Sequence, residues 1–273
     1  MVVGCFGTVK RGFSPFTPFS SPCKFSPMPQ PYGYTPVLTD VYRNVRRVVE
    51  RVRYRGDTVY CPVCDKSFSN WWHNETYGMC PFCRSCARHR FMWVYMQRVD
   101  GPWKKEGCKM LLFAPDWGME RQLRRQGNIQ LTTADICAPE ADLKIDITAM
   151  ALPDASFDGI ICSHVLEHVP DDHAAFREMR RILRPGGSAL VMVPLNGTIY
   201  QSDEDPTVTD PEERHRRFGQ FDHVRRYGLD IQERAAKGGF AVTCHSITSV
   251  MSAEEMKRMG LWEDVIVRCD VPV

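Results

Sequence analysis

The chain has 273 residues and a formal net charge of +2, enough for one full α/β domain plus a smaller appendage. Apolar residues make up 43% and charged residues 25%, ordinary for a soluble globular protein, and no apolar run approaches the length of a membrane span. A total so close to neutral gives no polyelectrolyte signal, so any affinity for nucleic acid has to come from a local patch.

Residues 1–38 contain no Asp or Glu and are rich in Ser, Thr, Phe and Pro. Proline recurs too often there for a helix. The composition reads as a disordered tail or, being acid-poor and Ser-rich, as an organelle transit peptide of plastid type. Residues 39–56 read as an amphipathic helix, opened by Thr39 or Asp40. Val41, Tyr42, Val45, Val48, Val49 and Val52 form its apolar stripe, with an arginine-rich face opposite.

Twelve cysteines are present, five of them between Cys61 and Cys86. Cys61-x2-Cys64 and Cys80-x2-Cys83 are separated by fifteen residues, the spacing of a tetrahedral structural zinc site built from two knuckles. Cys86, His73 and His89 lie close by as spare donors. The three-cysteine spacing of radical chemistry is absent, so zinc is expected and not an iron–sulfur centre. With no secretion signal, such pairs point to a reducing compartment, cytoplasmic or plastid. A ribbon with a coupling helix, starting at Ser85 or Cys86 and reaching about Val99, then spans residues 57–100.

The main domain is expected over residues 105–273. Residues 109–114, KMLLFA, read as its first strand. The turn Ala114-Pro115-Asp116-Trp117-Gly118 follows, and then a helix ended by Gly127. IQLTTAD, residues 129–135, is the second strand. Its terminal Asp135 stands at the separation from the turn where a carboxylate meets ribose hydroxyls, with Ile136 beside it; the plain alternative is a solvated strand-end aspartate.

FDGIICS is short and apolar enough for a buried parallel strand ending in Ser163 and His164. Asp171 or Asp172 caps a helix through Leu183, with Ala175, Phe176, Met179 and Ile182 at helical spacing. Arg184-Pro185-Gly186-Gly187 is expected to stop that helix, and SALVMVP to form the next strand. Strand, helix, strand is one unit of a doubly wound, mostly parallel sheet, and such folds bind ligands at the carboxyl edge of the strands. His164 sits at that edge. Glu167 and His168 in the next turn read as lining or structural groups, or as a general-base cluster.

Residues 195–228 read as a polar, irregular lid or acceptor-binding insertion. A second metal built from its acids and histidines lacks diagnostic spacing. Residues 229–237 are expected to be helical, and FAVTCHSITSV and DVIVRCDV close the sheet.

FDGIICSHVLEHVPDD followed by ILRPGGSALVMVP resembles the later half of class I S-adenosylmethionine-dependent methyltransferases. CPFCRSCARHR, FAPDWG and DEDPTVTDPEERHRRFGQFDHVRRYG resemble a group of these with an N-terminal zinc ribbon. The resemblance implies a Rossmann-like seven-stranded sheet with zinc and S-adenosylmethionine as cofactors. The usual acid-x-Gly-x-Gly-x-Gly turn is replaced here by Ala114, Pro115, Asp116 and Gly118. The resemblance makes that departure a trait of the group and places these residues, with Ser163 and His164, at the cofactor. It also implies that Asp146 accepts from the adenine amine while Ile147 packs on the ring, with Asp142 as the rival acid.

The reaction expected is transfer of the sulfonium methyl to an oxygen or nitrogen of a small-molecule or glycan-type acceptor. His223 is the candidate base, with the adjacent Asp222 to orient it and His164 as the alternative catalytic group. The competing readings are an RNA methyltransferase that docks through the ribbon and the Arg-rich helix, with Trp71, Trp72 and Tyr77 to stack, and a non-catalytic scaffold. Salt-sensitive RNA binding separates the first from the small-molecule enzyme, and cofactor binding separates the second from both.

Overall fold

In the computed structural model the described residues are 49–50, 52–72 and 78–273. Most of the expected helix at 39–56, the whole of residues 1–38, His73 and Tyr77 lie outside them.

The first described unit is a pair of cysteine knuckles. Strands β1 (Val59–Cys61) and β2 (Lys66–Phe68) pair antiparallel, Val59 opposite Phe68. Trp72 and Met79 form a second antiparallel bridge. The residue after the second cysteine of each CxxC adopts a left-handed backbone: Asp65 at φ 53° and Arg84 at φ 65°. The two tight turns thus match in conformation as well as in sequence. Helix α1 (Ala87–Arg98) follows, with Cys86 at its N-cap.

The main sheet holds β3 (Cys108–Phe113), β4 (Ile129–Asp135), β5 (Leu143–Lys144), β6 (Phe157–Ser163), β7 (Leu183–Met192), β10 (Ala241–Ser246) and β11 (Val265–Asp270). Their order is β10-β11-β7-β6-β3-β4-β5. Only β11 runs antiparallel to its neighbours β7 and β10. The chain moves outward from β3 through β4 to β5, then returns to β6 on the other side of β3. That reversal opens a crevice at the carboxyl ends of β3 and β6, where a doubly wound sheet takes its ligand.

Alternation along the buried strands divides the core into two layers. Met110, Leu112, Ile161, Leu190, Met192 and Ile266 face α1, the ribbon and Leu123 of α2 (Trp117–Arg125). Leu111, Phe113, Ile160, Cys162, Ala189 and Val191 face the other way. There they meet Phe176 and Met179 of α3 (Asp172–Ile182) and Ile231 and Ala235 of α5 (Ile231–Lys237). Asp171 caps α3 by accepting from Ala174 N at 2.8 Å.

Three expectations are corrected. The first strand starts one residue earlier, at Cys108. The helix before β7 ends at Ile182, and Arg184-Pro185-Gly186-Gly187 belongs to the strand. Leu183 pairs with Phe157, but Ser188 pairs with Gly159, so the strand bulges between them. Glycine is required there: Gly186 has φ 73°, and a Cβ on Gly187 would lie 2.9 Å from the carbonyl oxygens of Arg184 and Asp158. Residues 195–228 are not wholly irregular. They carry β8 (Asp203–Glu204), α4 (Pro211–Phe218) and β9 (Arg225–Arg226), with β8 and β9 paired antiparallel.

Arginine side chains tie this insertion down. Arg225 is buried, donates to Leu166 O at 2.8 Å and Pro170 O at 2.7 Å, and bonds Glu204 at 2.8 Å. Tyr227 Oη donates to the buried Asp172 at 2.8 Å, and Arg234 pairs with the same carboxylate at 3.0 Å. A buried arginine held by carbonyls and a carboxylate keeps its partners desolvated, so the insertion is part of the domain and not a loose flap.

Candidate functional site

The four thiols of Cys61, Cys64, Cys80 and Cys83 come together with all their sulfurs within 4.8 Å of one another. Cys61 Sγ is 3.6 Å from Cys83 Sγ, and Cys64 Sγ is 3.6 Å from Cys80 Sγ. Sulfurs about 2.3 Å from a tetrahedral ion stand roughly 3.8 Å apart, so the set fits a closed four-thiolate site. Burial pushes the Cys61 thiol up, but hydrogen bonds from Cys64, Cys80, Cys83 and Ser85 pull it well below its ordinary value. The fifth cysteine is outside this set: Cys86 Sγ faces His89 Nδ1 at 3.5 Å.

The knuckles sit against the first turn of the main domain. Ala114, just past β3, adopts φ 47°, a conformation costly for a residue with a Cβ. Pro115 follows, and buried Asp116 caps α2 by accepting from Gly118 N at 3.0 Å and Met119 N at 3.1 Å. His89 Nδ1 stands 3.5 Å from the same carboxylate oxygen. Burial holds the His89 imidazole well below its usual pKa, and Arg88 and His164 push the same way. Gln122 of α2 reaches the carbonyl of Val63 in the first knuckle. Sequence reading assigned Gly118 to the cofactor; its close neighbour here is the ribbon, whose Cys83 carbonyl would lie 2.7 Å from an added Cβ.

The second and third strands supply acids at the same edge. Asp135 closes β4, with one carboxylate oxygen accepting from Cys137 N at 2.7 Å and Ala138 N at 2.8 Å. Ile136 next to it is 58% exposed. Asp146 accepts from Thr148 N and Oγ1, both at 2.8 Å, and is itself exposed. The rival Asp142 is committed elsewhere. It accepts from Thr133 N at 2.9 Å, Thr133 Oγ1 at 3.0 Å and Arg124 at 2.7 Å, fastening the β4–β5 connection to α2. Ile147 is only 5% exposed and packs in the core, so it offers little surface to a ring.

At the end of β6, Ser163 Oγ is buried without a hydrogen-bond partner, and His164 adopts φ 56°. Left-handed residues other than glycine thus end both central strands, β3 and β6, on either side of the crevice. Glu167 follows on a short 3-10 turn and is 1% exposed. Burial pushes its carboxyl up, but the His164, His168 and His223 imidazoles outweigh this and hold it below the usual range.

His223 comes to this turn from the insertion, held by Val224 N donating to Glu167 O at 2.9 Å. Its ring stands edge-on to His168, centroids 4.7 Å apart. The expected orienting pair does not form. Asp222 Oδ2 faces His168 Nδ1 at 3.5 Å, while His223 Nδ1 is 3.1 Å from the carbonyl oxygen of Phe218. Backbone geometry explains the swap, because adjacent side chains leave the chain in different directions. His223 is buried, and burial lowers its pKa.

Asp264, one residue before β11, escaped sequence reading. Burial raises its carboxyl to about 6, and His164 and Arg88 pull against that rise. Since β11 runs antiparallel to β7, its first residues share the carboxyl edge with His164. The polar Glu263-Asp264 before an apolar run was the available signal.

Residues 120–191 match the family model described as a methyltransferase domain. An uncharacterized 37.1 kDa protein in transposon Tn4556 of Streptomyces fradiae is 34% identical over 136 residues, 48% of this chain and 36% of that protein. A ubiquinone biosynthesis O-methyltransferase of Xanthomonas oryzae pv. oryzae is 37% identical over 65 residues, 22% of this chain and 27% of the relative. The chain thus spans roughly a third of the length of these curated relatives. Among solved structures, the complex between the Haloferax volcanii Trm112 methyltransferase activator and a methyltransferase matches with a TM-score of 0.50. There the identity is 18%, covering 68% of this chain and 91% of that one, a likeness of fold. No described helix is long and apolar enough to cross a membrane. The domain match lies across α2 to β7, inside the seven-stranded sheet, and marks that stretch as similar to methyltransferase domains.

Proposed function

We propose that the chain binds S-adenosylmethionine in the crevice between β3 and β6 and transfers its methyl group to an oxygen or nitrogen of a small-molecule or glycan-type acceptor. The observation that carries this reading is the meeting of Ala114, Asp135–Ile136 and Ser163–His164 at the carboxyl edge of three adjacent strands. The free oxygen of Asp135 suits ribose hydroxyls, exposed Ile136 suits the adenine face, and Asp146 suits the exocyclic amine. Ser163 Oγ lacks a partner that a bound polar ligand would supply. A methyl sulfonium needs no phosphate cradle, so the single glycine of the first turn is no obstacle.

The methyl of the sulfonium is already activated. The protein's work is to align the acceptor in line with the sulfur, to exclude water and, for a hydroxyl, to accommodate the proton it loses. The acceptor's lone pair forms the new bond to carbon while the carbon–sulfur bond breaks, leaving its pair on the thioether. Proton removal falls to the imidazoles and carboxylates at the edge. His223 Nδ1 faces Phe218 O at 3.1 Å, which leaves Nε2 as the nitrogen able to take up a proton.

The four thiols are proposed to hold zinc as a structural ion, which steadies the knuckle against α2. Several insertion arginines are paired internally: Arg216 with Glu213, Arg217 with Asp203 and Asp205, Arg225 with Glu204. Trp71 and Trp72 already stack with Arg90 and Arg84 at 3.9 Å. Among the described residues, neither a free basic stripe nor open stacking rings therefore favour RNA as acceptor. The test is incubation with methyl-labelled S-adenosylmethionine and extract, followed by mass spectrometry. Label in a small-molecule or glycan fraction supports the reading, and label confined to RNA overturns its choice of acceptor.

A further inference from the structure

We propose that Glu167, His168 and His223 form a second metal site, for a divalent first-row transition ion, at the acceptor side of the crevice. One carboxylate oxygen and one imidazole nitrogen from each histidine lie within 4.8 Å of one another. Two imidazoles and a carboxylate with open positions suit zinc, iron(II), manganese or cobalt, and leave room for a substrate oxygen.

Three independent observations point to a ligand there. First, neither oxygen of Glu167 receives a hydrogen bond, although the side chain is only 1% exposed. His164 Nδ1 stands 3.2 Å from Oε1 and can meet that one oxygen as an ion pair, which leaves Oε2 buried with no partner. A buried carboxylate is costly unless a cation or donors meet it.

Second, both histidines are prepared as ligands. His223 Nδ1 lies 3.1 Å from Phe218 O, and His168 Nδ1 lies 3.5 Å from Asp222 Oδ2. An imidazole whose Nδ1–H faces a carbonyl or carboxylate presents Nε2 as the open lone pair, the arrangement in which protein histidines bind metals. The position of Asp222, useless for orienting His223, is thereby accounted for.

Third, the site is built from distant segments. Val224 N donates to Glu167 O, and Arg225 fastens the next residue to Leu166 and Pro170. The same fastening brings His223 to a turn 56 positions earlier (223 − 167).

The role of the ion rests on the methyl-transfer reading. In that role the ion would replace His223 as the group that activates the acceptor: it would lower the pKa of a bound hydroxyl, whose oxygen attacks the methyl carbon as the carbon–sulfur bond breaks, and the proton would pass to solvent. The presence of the ion does not depend on that role.

The test is titration of the zinc-loaded full chain with cobalt(II) alone, followed by absorption and metal analysis. Cobalt in a four-thiolate site gives intense charge-transfer bands, whereas imidazole and carboxylate ligands give weak visible bands without them. Wild type is expected to take up a further equivalent with the weak signature. Glu167→Gln, His223→Ala and His168→Gln should each weaken that uptake tenfold or more and leave the thiolate-bound ion in place. His168 is 34% exposed, so its variant remains informative if a buried change impairs folding, which circular dichroism detects. No weak-band uptake in wild type, or unchanged titration in folded Glu167→Gln or His168→Gln, overturns the proposal. S-adenosylmethionine affinity, measured separately, reports on the methyl-transfer reading whichever way the cobalt experiment falls.

Discussion

The carbonyl oxygen of Cys83 lies so close to Gly118 that a Cβ on that glycine would come within 2.7 Å of it. The cysteine knuckle and the first turn of the main domain are therefore in direct backbone contact. With His89 beside Asp116 and Gln122 on Val63, the ribbon buttresses the turn that stands in place of the usual acid-x-Gly-x-Gly-x-Gly pattern. Gly118→Ala should cost about 1–3 kcal/mol by forcing the knuckle away, read as a lower denaturation midpoint of the metal-loaded protein. Ala114→Gly, which relieves a left-handed backbone, should leave the midpoint unchanged or raise it by up to about 1 kcal/mol. Equal midpoints for wild type and Gly118→Ala would show that the contact carries no weight.

Metal content distinguishes the four thiols from the fifth. Cys83→Ser should lose the thiolate-bound ion and Cys86→Ser should keep it, because Cys86 turns to His89 instead of the cluster. Atomic absorption on the purified variants decides the matter. Loss of that ion in Cys86→Ser would mean the wrong four were chosen.

Among the acids at the cofactor edge, Asp135→Ala should weaken S-adenosylmethionine binding by about 1.5–3 kcal/mol, the scale for a charge-assisted hydrogen bond. Asp146→Ala should weaken it less. Asp142→Ala should leave affinity nearly intact and lower stability instead, since its carboxylate joins Thr133 to Arg124. An affinity loss confined to the Asp142 variant would reverse the assignment.

Asp264 carries a pH dependence of predictable sign. Its carboxyl is raised to about 6 in the fold, above its value in the unfolded chain, so the native state holds the proton more tightly. The associated stability is complete below about pH 4 and is lost as pH rises through 6. Asp264→Asn should therefore be more stabilising, relative to wild type, at pH 7 than at pH 5. Parallel stability curves for the two proteins across that window would contradict the shift.

How far the sequence carried this picture depends on whether each feature is local. Strand β4 was readable to the residue, because IQLTTAD has β-branched composition and a clear stop. The RPGG bulge was misread as a helix stop, since glycine and proline signal a break without saying which element follows. Helix α4 was missed because it has no apolar stripe: its residues are mostly polar or charged, and only Phe218 is buried. The cysteine spacing named the four-thiol set directly. The role of Gly118 and the arrival of His223 beside Glu167 and His168 were invisible, because each depends on contacts between segments far apart in the chain.

The most direct test of the whole reading is calorimetric titration of the intact, metal-loaded chain with S-adenosylmethionine. Saturable binding with one ligand per chain, weakened in Asp135→Ala and retained in Asp142→Ala, is the expected result. No saturable heat with wild type, at concentrations where the protein is folded and metal-loaded, would contradict it.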